Sequence, residues 1–123
     1  MSLAKTFKAL GDRNRLRVVH ALFNKKELCA CQLIELLEVS GATASRHMSI
    51  LVDAGFLQSR KEGRWVHYRL AEESPELKKL LKWLEVQVEI DPSFDEDLAK
   101  LKVITSCEPD ELRRKQRELT CCS

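Results

Sequence analysis

Residues 40–70 read SGATASRHMSILVDAGFLQSRKEGRWVHYRL, and the hydrophobic period changes within this stretch. Up to Gly55 the apolar residues recur at helical spacing, and Ser40 stands where a helix N-cap is expected. Beyond Gly55, apolar residues alternate with polar ones as far as Leu70. This alternation predicts a β-hairpin whose charged tip is formed by residues 61–64.

Three short helices separated by tight turns are predicted before Ser40. The first spans residues 2–10, the second follows an Asp12 cap, and the third ends near Val39. The second helix carries three arginines that we expect to lie largely outside: Arg13, Arg15 and Arg17. Short helices leading into a small polar helix are typical of a helix-turn-helix unit, and the basic hairpin adds a wing. We therefore predict a mainly α fold with a small β-hairpin, a winged helix-turn-helix.

The chain of 123 residues, with 44% hydrophobic and 33% charged residues, is long enough for one core. A strong amphipathic helix is predicted after Pro75. We assign residues 1–90 to a winged-helix DNA-binding and dimerisation domain, and residues 91–123 to a C-terminal helical extension with a cysteine-bearing tail. No segment approaches the roughly 20 apolar residues that span a bilayer. We expect a cytoplasmic protein without a membrane partner.

The distribution of charge indicates a basic surface on the first part of the chain. Residues 1–70 hold 12 Lys/Arg against 6 Asp/Glu, whereas residues 71–123 hold 9 against 13. Small polar side chains on one side of the helix from Ser40 would let it enter a DNA major groove, and basic side chains on the hairpin would contact phosphates. The candidate DNA-binding residues are Thr43, Ser45, Arg46, His47, Ser49, Arg60, Lys61 and Arg64. For His47, packing at the boundary of the core is weighed equally with a DNA contact.

Cys29 and Cys31 are the candidate metal ligands. Two residues at i and i+2 inside a regular helix point about 200° apart, so they do not readily share one ion there. At a helix start the two sulfurs converge if Cys29 is the N-cap and Cys31 lies in the first turn. Thiolates select soft, thiophilic centres over magnesium or calcium. The alternative is that both cysteines are small buried hydrophobic residues.

Four runs resemble the ArsR/SmtB family of winged-helix metalloregulatory repressors, over residues 3 to about 90. They are FKALGDRNRLR from Phe7, ELCACQL from Glu27, SGATASRHM from Ser40 and RKEGRWVHYRL from Arg60. The resemblance implies a homodimer that binds an inverted-repeat operator in double-stranded DNA and leaves it when a metal or metalloid binds. The Cys-x-Cys pair is similar to the family's arsenic-responsive branch. No permanent cofactor is expected, and the implied effector is As(III) or Sb(III).

The third ligand and the effector stay open at this stage. In the arsenic-responsive branch a third cysteine often follows three positions on, but Ile34 stands there. An outside ligand would complete the site, or one of the remaining cysteines, which are Cys107, Cys121 and Cys122. The alternatives are a sensor of cadmium, lead or another thiophilic cation, and a redox- or sulfide-responsive repressor. A small thiol enzyme is a remote alternative because no Cys-x-x-Cys motif or base–nucleophile pair is present, and we expect no enzyme.

Overall fold

The computed structural model of the protein describes residues 2–106. In chain order the elements are α1 (Leu3–Leu10), α2 (Arg13–Asn24), β1 (Leu28–Cys29), α3 (Ala30–Leu37), α4 (Gly41–Asp53), β2 (Leu57–Glu62), β3 (Trp65–Leu70), α5 (Pro75–Ile90), a 3₁₀ turn (Pro92–Phe94) and α6 (Asp95–Ser106). The predicted mainly α winged helix-turn-helix is confirmed.

The helix starts follow the capping residues expected from the sequence. The Asp12 carboxylate accepts hydrogen bonds from the backbone N–H groups of Asn14 at 2.8 Å and Arg15 at 3.3 Å. The Ser40 hydroxyl accepts one from the N–H of Thr43 at 3.1 Å and begins α4. The chain leaves α4 through Gly55, whose φ of 88° is a left-handed conformation that favours glycine.

The sheet has one more strand than the sequence predicts. Among the described residues it has the order β1-β3-β2, with both pairs antiparallel. The hairpin β2–β3 is the predicted wing, and Gly63 at its turn has a φ of 62°. The added strand is Leu28–Cys29, which pairs Leu28 with Tyr68 and Cys29 with His67. The strand that carries the first cysteine therefore belongs to the same sheet as the wing.

One core joins the helices to the base of the wing. Its largest fully buried side chains include Phe56, Leu28, Leu33, Leu36, Met48 and Leu51. Phe94 and Leu101, from the 3₁₀ turn and α6, belong to the same cluster. The buried ring of His20 lies 5.0 Å from that of Phe94, and burial lowers the pKa of His20 although the carboxylates of Asp97 and Asp95 act in the opposite direction. α6 packs on α2 and α3. The assignment of residues 91–123 to a separate extension stays a prediction.

The expectation that Arg17 lies largely outside is wrong. Its side chain is 14% exposed and pairs with Asp97, which is 8% exposed, at 2.9 Å. Its guanidinium also donates to the backbone carbonyl of Leu36 at 2.9 Å and to the Asn14 side chain at 3.0 Å. These bonds satisfy the buried charge and attach the start of α6 to α2 and to the last turn of α3.

We predict that Asp97→Ala lowers the free energy of unfolding by about 3 kcal/mol, because it leaves the Arg17 guanidinium buried without its carboxylate. The matched control is Lys100→Ala, which removes the exposed ion pair of Lys100 with Glu38 at 2.9 Å. That change should cost less than about 1 kcal/mol. Urea unfolding followed by circular dichroism measures both, and equal small losses would contradict the role given to Asp97.

Candidate DNA-binding surface and thiol site

The exposed side of α4 is the one expected from the sequence. Its exposed residues are Gly41, Ala42, Thr43, Ser45, Arg46, Ser49 and Asp53. The opposite side is buried through Ala44, Met48 and Leu51. Small side chains with one guanidinium form a surface that lets a helix backbone come close to base edges, with Arg46 as the donor suited to guanine.

His47 lies at the junction between α4 and the first two helices. Its side chain is 12% exposed, and Nδ1 lies 3.2 Å from an Arg15 guanidinium nitrogen and 4.0 Å from the Asp12 carboxylate. Arg15 also donates to the carbonyls of Ala9 at 2.6 Å and Lys8 at 3.3 Å, at the end of α1. The packing that the sequence allowed for His47 is therefore present, and a DNA contact by this residue stays a prediction.

The wing presents Lys61 and Arg64 as exposed residues, whereas Arg60 is held against two carboxylates. The Arg60 guanidinium lies 2.6 Å from Glu27 and 2.8 Å from Glu62. Its hydrogen bond lowers the pKa of Glu27, and the bonds to Glu27 and then Glu62 raise the pKa of Arg60. To reach a phosphate, Arg60 would have to leave these partners.

Cys29 and Cys31 adopt the arrangement that the sequence required for a shared site. Cys29 is the N-cap of α3 with extended backbone, and Cys31 lies in the first turn. Their sulfurs are 3.0 Å apart, longer than the roughly 2.05 Å of a disulfide bond, and the Cys31 thiol donates toward Cys29. The Gln32 side chain accepts a hydrogen bond from the Cys29 N–H at 2.8 Å, and the Cys29 sulfur caps the Gln32 N–H in return.

Both cysteines are buried, Cys29 at 1% and Cys31 at 3% exposure. Burial raises the pKa of the neighbouring Tyr68 hydroxyl, and the Cys29 thiolate acts in the same direction. Within residues 2–106 no group of three or more His, Cys, Asp or Glu side chains is arranged to hold a metal ion. Cys107, Cys121 and Cys122, the candidates for a third ligand, lie outside the described residues.

Two apolar faces remain exposed on the described part of the chain. On α1, Leu3 and Phe7 are 64% and 55% exposed. On α5, Trp83, Val86 and Ile90 are 59%, 53% and 70% exposed, at the spacing of one helix face. Exposed apolar groups of this extent mark surfaces used for protein association.

Comparison with known proteins identifies the family. The sequence profile described as "Bacterial regulatory protein, arsR family" matches residues 12–59, which run from the α2 cap into β2. The chain belongs to the ArsR family. Its fold is also similar to that of reduced HlyU from Vibrio cholerae N16961, with 30% identity, a TM-score of 0.58, and coverage of 68% of this chain and 85% of that one.

Two curated relatives of the ArsR-family chain carry names that refer to different elements. The arsenical resistance operon repressor of Escherichia coli K12 is 45% identical over 69 residues, 56% of this chain and 59% of that protein. A cadmium resistance regulator, the CadC homolog of Staphylococcus aureus, is 42% identical over 73 residues, 59% of this chain and 60% of that protein. The matched segment thus spans less than two thirds of either relative.

Membership of a family of regulatory proteins excludes the thiol-enzyme alternative.

None of the helices within residues 2–106 has both the length and the apolar character needed to cross a bilayer.

The sequence analysis did not identify Glu27 and Gln32 as parts of the site. A signal for Gln32 was available, since its place three residues after the N-cap matches the capping-box pattern. Glu27 and Cys29 flank the apolar Leu28 with the alternation of a strand, but two residues are too few for that signal to stand out.

Proposed function

We propose that this ArsR-family protein is a transcriptional repressor that acts in the cytoplasm and is released from its operator by a thiophilic metalloid, As(III) or Sb(III), bound to Cys29 and Cys31. The observation that carries the proposal is the 3.0 Å approach of the two sulfurs at the start of the helix that precedes α4. The names of the relatives from E. coli and S. aureus support a thiophilic effector. The choice of arsenic or antimony over cadmium or lead is the finer part of the proposal.

The chemistry of the site favours a soft centre with few ligands. Two sulfurs are soft donors, and the described residues offer no cluster of oxygen or nitrogen donors that would suit zinc or a harder cation. A trivalent arsenic or antimony centre would take both sulfurs and one further donor. Cys107, Cys121 and Cys122 are the candidates for that donor.

Release follows from the short path between the thiols and the DNA-binding face. α3 has eight residues and ends at Leu37. Its C-cap Glu38 has a left-handed φ of 56°, and Ser40 then caps α4. Because α3 packs on α4 through buried side chains, a change at the first turn of α3 is transmitted to α4 as a shift of a rigid element.

The operator contacts are proposed for the exposed residues Thr43, Ser45, Arg46 and Ser49 of α4, and for Lys61 and Arg64 of the wing. In a homodimer two such faces would meet two half-sites about one helical turn apart, as an inverted repeat requires. We propose that the exposed apolar faces of α1 and α5 form the dimer interface.

We predict that Arg46→Ala weakens specific DNA binding by about tenfold to one-hundredfold, because a bidentate contact to guanine is lost. Lys61→Ala should weaken binding to all DNA sequences by a similar factor. It should also reduce the slope of the logarithm of the binding constant against the logarithm of the salt concentration by about one, as expected for one lost phosphate contact. Lys79→Ala, at an exposed position on α5, is the control for a lost positive charge. Fluorescence anisotropy with a duplex from the region upstream of its own gene measures all three at several salt concentrations. An Arg46 variant with normal affinity would contradict the proposed orientation of α4.

We predict that Cys29→Ser and Cys31→Ser each keep DNA binding and lose release by arsenite and antimonite, since each removes one of two sulfur ligands. Single Cys107→Ser, Cys121→Ser and Cys122→Ser variants test the third ligand in the same assay. Titrations with cadmium and lead, and with an oxidant in the absence of metal, separate the alternative effectors. A Cys29 variant released at the arsenite concentration that releases the wild type would contradict the assignment.

We predict that Trp83→Glu converts the dimer to a monomer, because it places a charge in the centre of the proposed α5 interface. Lys82→Glu, the neighbouring exposed position, serves as the control. Analytical ultracentrifugation gives the mass, and circular dichroism should show a normal fold because Trp83 is 59% exposed. A dimeric Trp83 variant would place the interface elsewhere.

A further inference from the structure

The strand that carries Cys29 forms a row of side chains across the wing sheet. β1 pairs Cys29 with His67, and β3 pairs His67 with Arg60 on β2. Directly opposed residues of antiparallel strands project from the same face of a sheet, so Cys29, His67 and Arg60 share one face. Glu27, two residues before Cys29, follows the strand alternation and belongs to this face as well.

The Glu27 side chain contacts Arg60 and His67, and its backbone leads through Leu28 to Cys29. Its Oε1 accepts a hydrogen bond from Arg60 Nη2 at 2.6 Å, and its Oε2 lies 3.4 Å from Arg60 Nε. The same Oε1 lies 3.7 Å from His67 Nδ1. The carboxylate thus spans from the residue next to β1, across β3, to the far strand of the sheet. Glu62 also accepts a hydrogen bond from Arg60, at 2.8 Å, and lies 3.9 Å from His67 Nε2, but it belongs to β2 itself.

We propose that Glu27 is a positioning residue whose ion pair with Arg60 transmits the occupancy of the Cys29–Cys31 site to the wing. This inference rests on the proposed function and adds a second route to the one through α3 and α4. The wing strands would change position relative to α4 when Cys29 moves, because Glu27 attaches the outer strand β2 directly to the segment that contains Cys29.

The length of β1 makes this coupling difficult to avoid. The strand has two residues, so no further ladder hydrogen bonds are available to hold it if Cys29 shifts. The backbone N–H of Cys29 is already bonded to Gln32 inside α3, which ties any movement of Cys29 to the helix start. Glu27 and Leu28 must follow such a movement as the preceding residues of the same chain.

The exposure of the pair indicates a role in positioning rather than in stability. The side chains of Arg60 and Glu27 are 51% and 30% exposed, and exposed ion pairs contribute little to the free energy of unfolding. The Arg60 guanidinium nevertheless donates two hydrogen bonds to the Glu27 carboxylate, and this pair of bonds fixes the relative orientation of the two side chains. Substitution of Glu27 should therefore alter coupling while the fold is retained.

The test compares Glu27→Gln with the matched control Glu62→Gln. Both remove one carboxylate that contacts Arg60, but Glu62 has no covalent continuity with β1. For each variant and the wild type, fluorescence anisotropy gives the DNA dissociation constant with and without saturating arsenite or cadmium. Protection of the thiols from a chromogenic disulfide reagent gives ion binding, and thermal unfolding verifies the fold.

We expect Glu27→Gln to bind the ion and to unfold as the wild type does, while the ratio of loaded to unloaded DNA dissociation constants falls at least about fivefold. Glu62→Gln should keep the wild-type ratio. In the double variant Glu27→Gln/Arg60→Gln the ratio should fall no further than in Glu27→Gln alone, because both changes break one link.

A wild-type ratio in Glu27→Gln, with the wild-type protein itself released by the ion, would overturn this inference and leave the proposed function intact. A fall of equal size in Glu62→Gln would also overturn it, since loss of charge on the wing would then suffice. If the wild type binds DNA and neither ion changes its affinity, the proposed function fails and this inference fails with it.

Discussion

The pairing of Leu28 and Cys29 with β3 is the constraint on which the arrangement of the site depends. It ends the connection after α2, fixes the first turn of α3 against the base of the wing, and places Cys29 at a point shared by a helix and a sheet. Without this pairing Cys29 would lie in a loop, and the approach of the two sulfurs would depend on the mobility of that loop. The short strand holds Cys29 close to Cys31, so the 3.0 Å approach of their sulfurs does not depend on a loop.

The far end of α3 is held by a different kind of contact. Arg17 reaches from α2 to the carbonyl of Leu36, and Asp97 brings α6 to the same guanidinium. A buried charge is tolerated there because its donors have partners on three elements. With its first turn bound to the sheet and its last turn to Arg17, α3 is held at both ends, so we expect a displacement of its first turn to involve the whole helix.

The sequence was sufficient for the elements whose signals are local. Caps at Asp12 and Ser40, the glycines at positions 55 and 63, and the small polar face of α4 follow from residue type and spacing. The Cys29 cap was a condition of the shared thiol site, and the structure shows it. The contacts that the sequence analysis missed join residues distant in sequence. Arg17 and Asp97 are 80 residues apart, and Glu27 and Arg60 are 33 apart. Periodicity identified Arg17 as polar and therefore outward, because it contains no information on a buried carboxylate elsewhere in the chain.

The burial of the two sulfurs makes a change of conformation a necessary part of ion binding. Cys29 and Cys31 are 1% and 3% exposed, so an ion from solvent reaches both sulfurs only if a neighbouring segment moves. A centre that binds both sulfurs must therefore displace α3, β1 or both, and the free energy for the displacement comes from the bonds to sulfur. α3 packs on α4, and β1 pairs with the wing strand β3, so a displacement of either element would change the DNA-binding surface. An ion that causes this displacement binds the displaced state more tightly than the DNA-competent state. Release from DNA requires that difference in affinity.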